Sequence, residues 1–220
     1  MWSATTAWLA SVAGIALYAW WASGRVAAGA SPWLCAAGLP VAYAALVLAL
    51  TLVFFALAWI WRSPRPRDVR VGLAGTLRLV GNEYAALLGA SPRMMLYRRL
   101  VPDDPPARSQ APVLLVHGVL CNAGVWASMR RRLAAAGVGP IHAISYGPPL
   151  ASIECFADQL AAKIEAILGA TGASDVALVT HSMGALVARA YLRRYGSAKV
   201  RLAVMIGAPQ AGSVHARMFP

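Results

Sequence analysis

Val176-Ala177-Leu178-Val179-Thr180-His181-Ser182-Met183-Gly184-Ala185 is the stretch that decides the fold. Val176–Thr180 is apolar enough for a strand covered on both faces, and a helical pattern over Met183–Tyr195 begins directly after Ser182. A strand that becomes a helix across one residue needs small neighbours. Gly184 meets that need two residues after the serine, and Thr180 fits two residues before it with more crowding. Such a turn holds a hydroxyl at the top of a sheet and at a helix start. There, free N–H groups and a positive partial charge face a developing anion.

The surrounding sequence alternates between strand and helix. Val113–His117 reads as a short buried strand, followed by a helix near 123–136. Ile141–Ser145 is the next strand. The helix over 151–168 carries Ile153, Phe156, Leu160, Ile164, Ile167 and Leu168 on one face, and Val200–Ile206 is the last strand. This order implies a parallel sheet with helices on its faces. After the first strand comes His117-Gly118-Val119, where Gly118 permits close backbone approach. The main-chain N–H groups of Val119 and Met183 are the candidate donors to an oxyanion.

Three segments together carry a family resemblance: Leu114–Trp126 (LLVHGVLCNAGVW), Leu178–Tyr191 (LVTHSMGALVARAY) and Gly207–Ser213 (GAPQAGS). Over residues 110–215 the chain resembles the α/β-hydrolase superfamily, and within it bacterial lipases and esterases of the triacylglycerol-lipase type. The resemblance implies that Ser182 is the nucleophile and that Val119 and Met183 form the oxyanion hole. It implies a serine esterase or lipase acting on lipid-like acyl esters, with no metal or organic cofactor.

In this superfamily the catalytic acid and base follow the nucleophile along the chain. No Asp or Glu follows Ser182, and the one later histidine is His215, a candidate base. His181 adjoins Ser182 but points to the opposite face of its strand. His117 belongs to the oxyanion loop, His142 to the start of a strand. Asp175 lies at the far end of its strand, and Glu154 and Asp158 lie on an exposed helix face. The triad is therefore expected to be incomplete here, the chain being truncated before the family's acid and base. The last strand is expected to leave an open apolar edge, which another chain could cover as a protein partner.

The first part of the chain is different. Trp2–Gly24 and Val26–Trp61 carry no charge, each long enough for a bilayer core of ~30 Å. Seven of the eight tryptophans lie in residues 1–61, several near expected span ends. Two transmembrane helices are expected, the second over Val41–Trp61 with Pro40 in its first turn. No basic region precedes the first stretch, unlike a secretory signal. Arg62, Arg65, Arg67 and Arg70 follow the second span, whereas Arg25 stands alone between the two. The bias places both termini and the soluble domain in the cytoplasm, hence at a bacterial inner membrane.

The expected organisation is a transmembrane hairpin (1–62), a juxtamembrane helix and linker (63–110), and the N-terminal part of an α/β-hydrolase domain (111–220). The helix over 69–89 either rests its arginines on headgroups or packs on the next domain. The net charge of +12 reflects either an arginine-rich composition or contact with anionic lipid. No nucleic-acid-binding module is present. Three cysteines cannot build a disulfide framework. The alternatives to an esterase are an acyltransferase on the same scaffold and a non-catalytic hydrolase-like membrane module.

Overall fold

The computed structural model describes residues 2–61, 71–105, 111–149 and 151–212. They fall into two compact units: the first is Trp8–Ser91, and the second groups the residues from Pro92 onward with those up to Ala7.

In the first unit, α1 spans Trp2–Ala27 and α2 spans Pro32–Ile60. At 1.5 Å per residue the 29 residues of α2 reach about 43 Å. Among the described residues, α2 is the one helix long and apolar enough to cross a membrane. The residues Trp, Thr and Ser lower the hydropathy of α1. The expected start of the second helix at Val41 is corrected: Pro32 opens it, and Pro40 lies inside it. Ala36, Ala37 and Gly38 precede Pro40, and a Cβ on Gly38 would meet the Tyr18 hydroxyl of α1. The Tyr18 hydroxyl of α1 donates to the Cys35 carbonyl in the same turn, 2.8 Å away. Thr51, buried in α2, returns its hydroxyl to the Val47 carbonyl at 2.7 Å, so no polar group is left bare.

The helix expected over 69–89 is α3, Leu73–Leu88. It packs on α2. Two tyrosines cross the contact: Tyr43 donates to the Leu88 carbonyl at 3.0 Å and Tyr84 to the Ala44 carbonyl at 3.2 Å. The short helices α4 (Ala90–Met95) and α5 (Tyr97–Leu100) follow.

The second unit is built on a four-stranded parallel sheet, order β2-β1-β3-β4. Its strands are β1 (Val113–Val116), β2 (Ile141–Ile144), β3 (Val176–His181) and β4 (Val200–Ile206). Side chains alternate between faces along each strand. Leu114, Val116, Val176 and Leu178 meet Phe156, Leu160 and Ile164 of α7 (Ile153–Thr171) and Val187 and Tyr191 of α8 (Met183–Tyr195). Val113 and Leu115 meet Trp126, at the end of a 3-10 turn (Ala123–Trp126) that leads into α6 (Ala127–Ala135). That 3-10 turn replaces the first turn of the helix expected from residue 123. Asn122 caps it by accepting the Gly124 N–H at 2.9 Å.

The segment before β1 is tied into this unit by acids. Asp104 pairs with Arg130 and accepts the Ile141 N–H at 2.7 Å. Asp103 pairs with Lys163 and lies 3.6 Å from His142 Nδ1. Burial opposes the charge on Asp103, but hydrogen bonds from His142 and Lys163 outweigh it and hold the carboxyl well below the usual range.

β4 ends the sheet on one side, and its Leu202, Val204 and Ile206 are exposed on a single face. The described residues thus leave both an unpaired strand edge and an apolar stripe there.

Candidate active site

Ser182 stands between β3 and α8. Its φ of +52° and ψ of −123° lie in a region that non-glycine residues rarely enter, the mark of a strained turn. The strain is held from both sides. The Ser182 N–H donates to the Ile206 carbonyl at 2.9 Å, and the Ser182 carbonyl accepts the Ala185 N–H at 3.0 Å. Ser182 occupies the cap position of α8, yet its side chain makes no capping hydrogen bond. Serine favours this position because its oxygen usually takes an N–H of the first turn. Here the hydroxyl is half-buried and left for other use.

Glycine is required next to it. A Cβ on Gly184 would lie 2.5 Å from the His117 carbonyl oxygen and 2.7 Å from that of Val116. The helix can therefore approach the end of β1 only with hydrogen at this position. Thr180 is fully buried, and its hydroxyl donates to the Val204 carbonyl of β4 at 3.3 Å. That bond ties β3 to β4 at the residue where the turn favours glycine.

The loop after β1 reaches the same place. A Cβ on Gly118 would lie 3.1 Å from Ser182 Cβ and 3.2 Å from His181 Nδ1. Val119 follows directly, half-buried. Met183 is the first residue of α8, so its N–H is one of those a helix leaves without an internal partner. The fold thus brings Ser182, Gly118-Val119 and Met183 to one corner.

It does not bring an acid there among the described residues. In this unit Asp103, Asp104, Glu154, Asp158, Glu165 and Asp175 each pair with a cation elsewhere: Lys163, Arg130, Arg193, Arg194, Lys199 and Arg201. The histidines are distributed as follows. His117 is buried against the loop after β1, and His142 faces Asp103. His181 is exposed, with Trp126 edge-on at 6.4 Å, in an open apolar cavity of about 390 Å³ that Met129 and Ile206 also line. His215 lies outside the described residues. Among those residues no cluster of three or more His, Cys, Asp or Glu is placed to hold a metal ion.

Sequence reasoning missed two residues that hold this corner. The Tyr146 hydroxyl donates to the His117 carbonyl, and Gln159 of α7 bonds both polar atoms of the Gly147 backbone. Tyr146 directly follows a predicted strand, a weak signal of its place among the strand-end loops.

Comparison with curated proteins finds no match. Among solved structures, the crystal structure of the Bacillus licheniformis lipase BlEst2 in mature form is similar, at 24% identity and a TM-score of 0.45. The match covers 54% of this chain and 48% of that one, so the chain spans about half the length of that lipase. The profile of the alpha/beta hydrolase family matches residues 113–220. That stretch holds the whole parallel sheet and the strained strand-to-helix turn at Ser182. Residues 113–220, just under half of the chain, are thus similar to the α/β-hydrolase family.

Proposed function

We propose that this chain is a membrane-anchored serine hydrolase of lipid-like acyl esters, with Ser182 as nucleophile. One observation carries the reading. Ser182 holds a strained backbone, its hydroxyl is not used as a cap, and it lies beside two backbone segments with N–H groups to offer. In the proposed step, Ser182 Oγ bonds to the ester carbonyl carbon and the carbonyl π pair moves onto oxygen. The N–H groups of Val119 and Met183 receive that oxyanion, a role worth roughly 10²–10³ in rate per donor. The intermediate collapses by expelling the alcohol oxygen, which takes a proton. Water then releases the acid from acyl-Ser182.

The reaction needs a base to take the serine proton. His215 is the candidate within this chain. The apolar first unit supports a lipid-like substrate: α2 suits a bilayer span, and Trp2–Gly24, the uncharged part of α1, supports a second. The arginines Arg62, Arg65, Arg67 and Arg70 support a cytoplasmic side for the second unit. The bare edge and apolar stripe of β4 support a further polypeptide covering that side.

The six paired carboxylates favour a second reading, a hydrolase-like membrane module without catalysis. Fluorophosphonate labelling of the detergent-solubilised chain separates the two. The esterase reading expects a phosphonylated Ser182 peptide by mass and complete loss of label in Ser182→Ala. A folded chain that takes no label establishes the second reading, and label undiminished in Ser182→Ala removes the assignment of the nucleophile. Products formed with an added alcohol acceptor distinguish acyl transfer from hydrolysis.

A further inference from the structure

The loop after β1 is held by a cluster with no part in the steps above. His117 is 2% exposed, and its Nδ1 lies 2.8 Å from the Gly118 carbonyl oxygen. A carbonyl can only accept, so this contact puts the proton on Nδ1. Nε2 is then the unprotonated nitrogen, and it is buried without a partner. Burial pushes the His117 ring down to about 4, against a smaller opposing effect of the Gly118 bond, and the ring is neutral near pH 7. Tyr146 stacks on that ring with centroids 4.0 Å apart and planes 16° apart, and its hydroxyl donates to the His117 carbonyl. Burial, with Cys121 adding, pushes the phenol above its ordinary value, so it stays a donor. Tyr146 is itself fixed from α7. Phe156 lies 4.6 Å from its ring, and Gln159 donates to the Gly147 carbonyl at 2.6 Å and accepts the Gly147 N–H at 3.1 Å.

These contacts set a peptide plane. Across a trans peptide the C=O and N–H bonds point in opposite directions. With the Gly118 oxygen held on the His117 ring, the Val119 N–H is aimed to the other side. The His117 oxygen lies between the Tyr146 hydroxyl and the bare Cα of Gly184. Two successive peptides beside Ser182 are thereby pinned.

We propose that Tyr146 is a positioning residue, whose hydroxyl and stack on His117 fix the peptide plane that presents the Val119 N–H to the oxyanion. This rests on the roles given above to Ser182 and Val119. Tyr146→Phe keeps the ring and removes the hydroxyl. With p-nitrophenyl butyrate, kcat is expected to fall about 10- to 100-fold, the size associated with a misplaced reacting group, while KM stays within about twofold. Ile164→Val trims the core on α7 by one methylene and controls for lost stability, with kcat expected unchanged. Wild-type kcat in Tyr146→Phe, or an equal loss in Ile164→Val, overturns the proposal.

A second readout needs no turnover. Nitrogen-15 NMR of His117 in the full chain is expected to show the Nδ1–H tautomer, shifting toward Nε2–H in Tyr146→Phe. A wild-type Nε2–H tautomer, or one that the substitution does not move, overturns the positioning whether or not Ser182 labels. The expected tautomers in a chain that takes no label overturn the role of Ser182 instead, and with it the oxyanion half of the proposal.

Discussion

The two units use the same apolar residues in opposite ways. In the second unit Leu114, Leu115, Val116 and Leu178 are wholly shielded between the sheet and its helices. In the first, Leu17, Trp20, Leu46 and Phe54 of α1 and α2 face outward. A parallel sheet buries both faces, so its strands lose their apolar area within the chain. Helices apolar on most faces have no such internal solution, and the bilayer proposed for them would supply an apolar surrounding. Hydrophobicity alone does not separate the units; the place where each satisfies it does.

The sharpest way to break this contrast is to remove apolar volume where it is enclosed. Leu178→Ala, between β1 and β4 and fully buried, is expected to cost about 2–5 kcal/mol. Thermal unfolding of the second unit's signal checks it; a loss under about 1 kcal/mol means the core is not closed there.

A charge placed where apolar surface faces outward probes the other unit. Leu46, 58% exposed, lies near the middle of α2. In water Leu46→Arg would be nearly neutral, within about 0.5 kcal/mol. At the centre of a bilayer it costs about 2.5–3.5 kcal/mol. The expected result is depletion of Leu46→Arg from the alkaline-washed membrane fraction that retains the wild type. Equal recovery of both proteins would argue that lipid does not contact this face.

The smallest effect compares two buried threonines. Thr51 in α2 and Thr180 in β3 each return a hydroxyl to a backbone carbonyl, Val47 and Val204. Replacing either by valine keeps the shape and removes one hydrogen bond, an expected loss of about 0.5–1.5 kcal/mol in each unit. A far larger loss at Thr180 alone would show that this hydroxyl sets the turn at Ser182, beyond tying β3 to β4.

The local pattern made much of the second unit legible. Met183–Tyr195 and Val200–Ile206 form as read, because strand and helix periods change abruptly at Ser182 and Gly196. The strand-to-helix turn at Ser182 was legible for the same reason: one short segment contains strand, serine, small residue and helix. Pro40 misled, because proline ordinarily marks a helix start and here α2 runs through it. The contacts of Asp103, Asp104, Tyr146 and Gln159 were out of reach. Each joins a side chain to backbone or a cation on another element, and only the packing of strands and α7 in three dimensions brings those partners together.

The cap position of α8 has a consequence for how this domain can be improved. Its serine gives up the hydrogen bond that makes serine a good cap and holds a backbone angle that suits glycine. A screen for heat resistance alone would therefore favour Ser182→Gly and discard the hydroxyl that the proposed chemistry requires. Selection for durability and selection for turnover pull in opposite directions at this one residue.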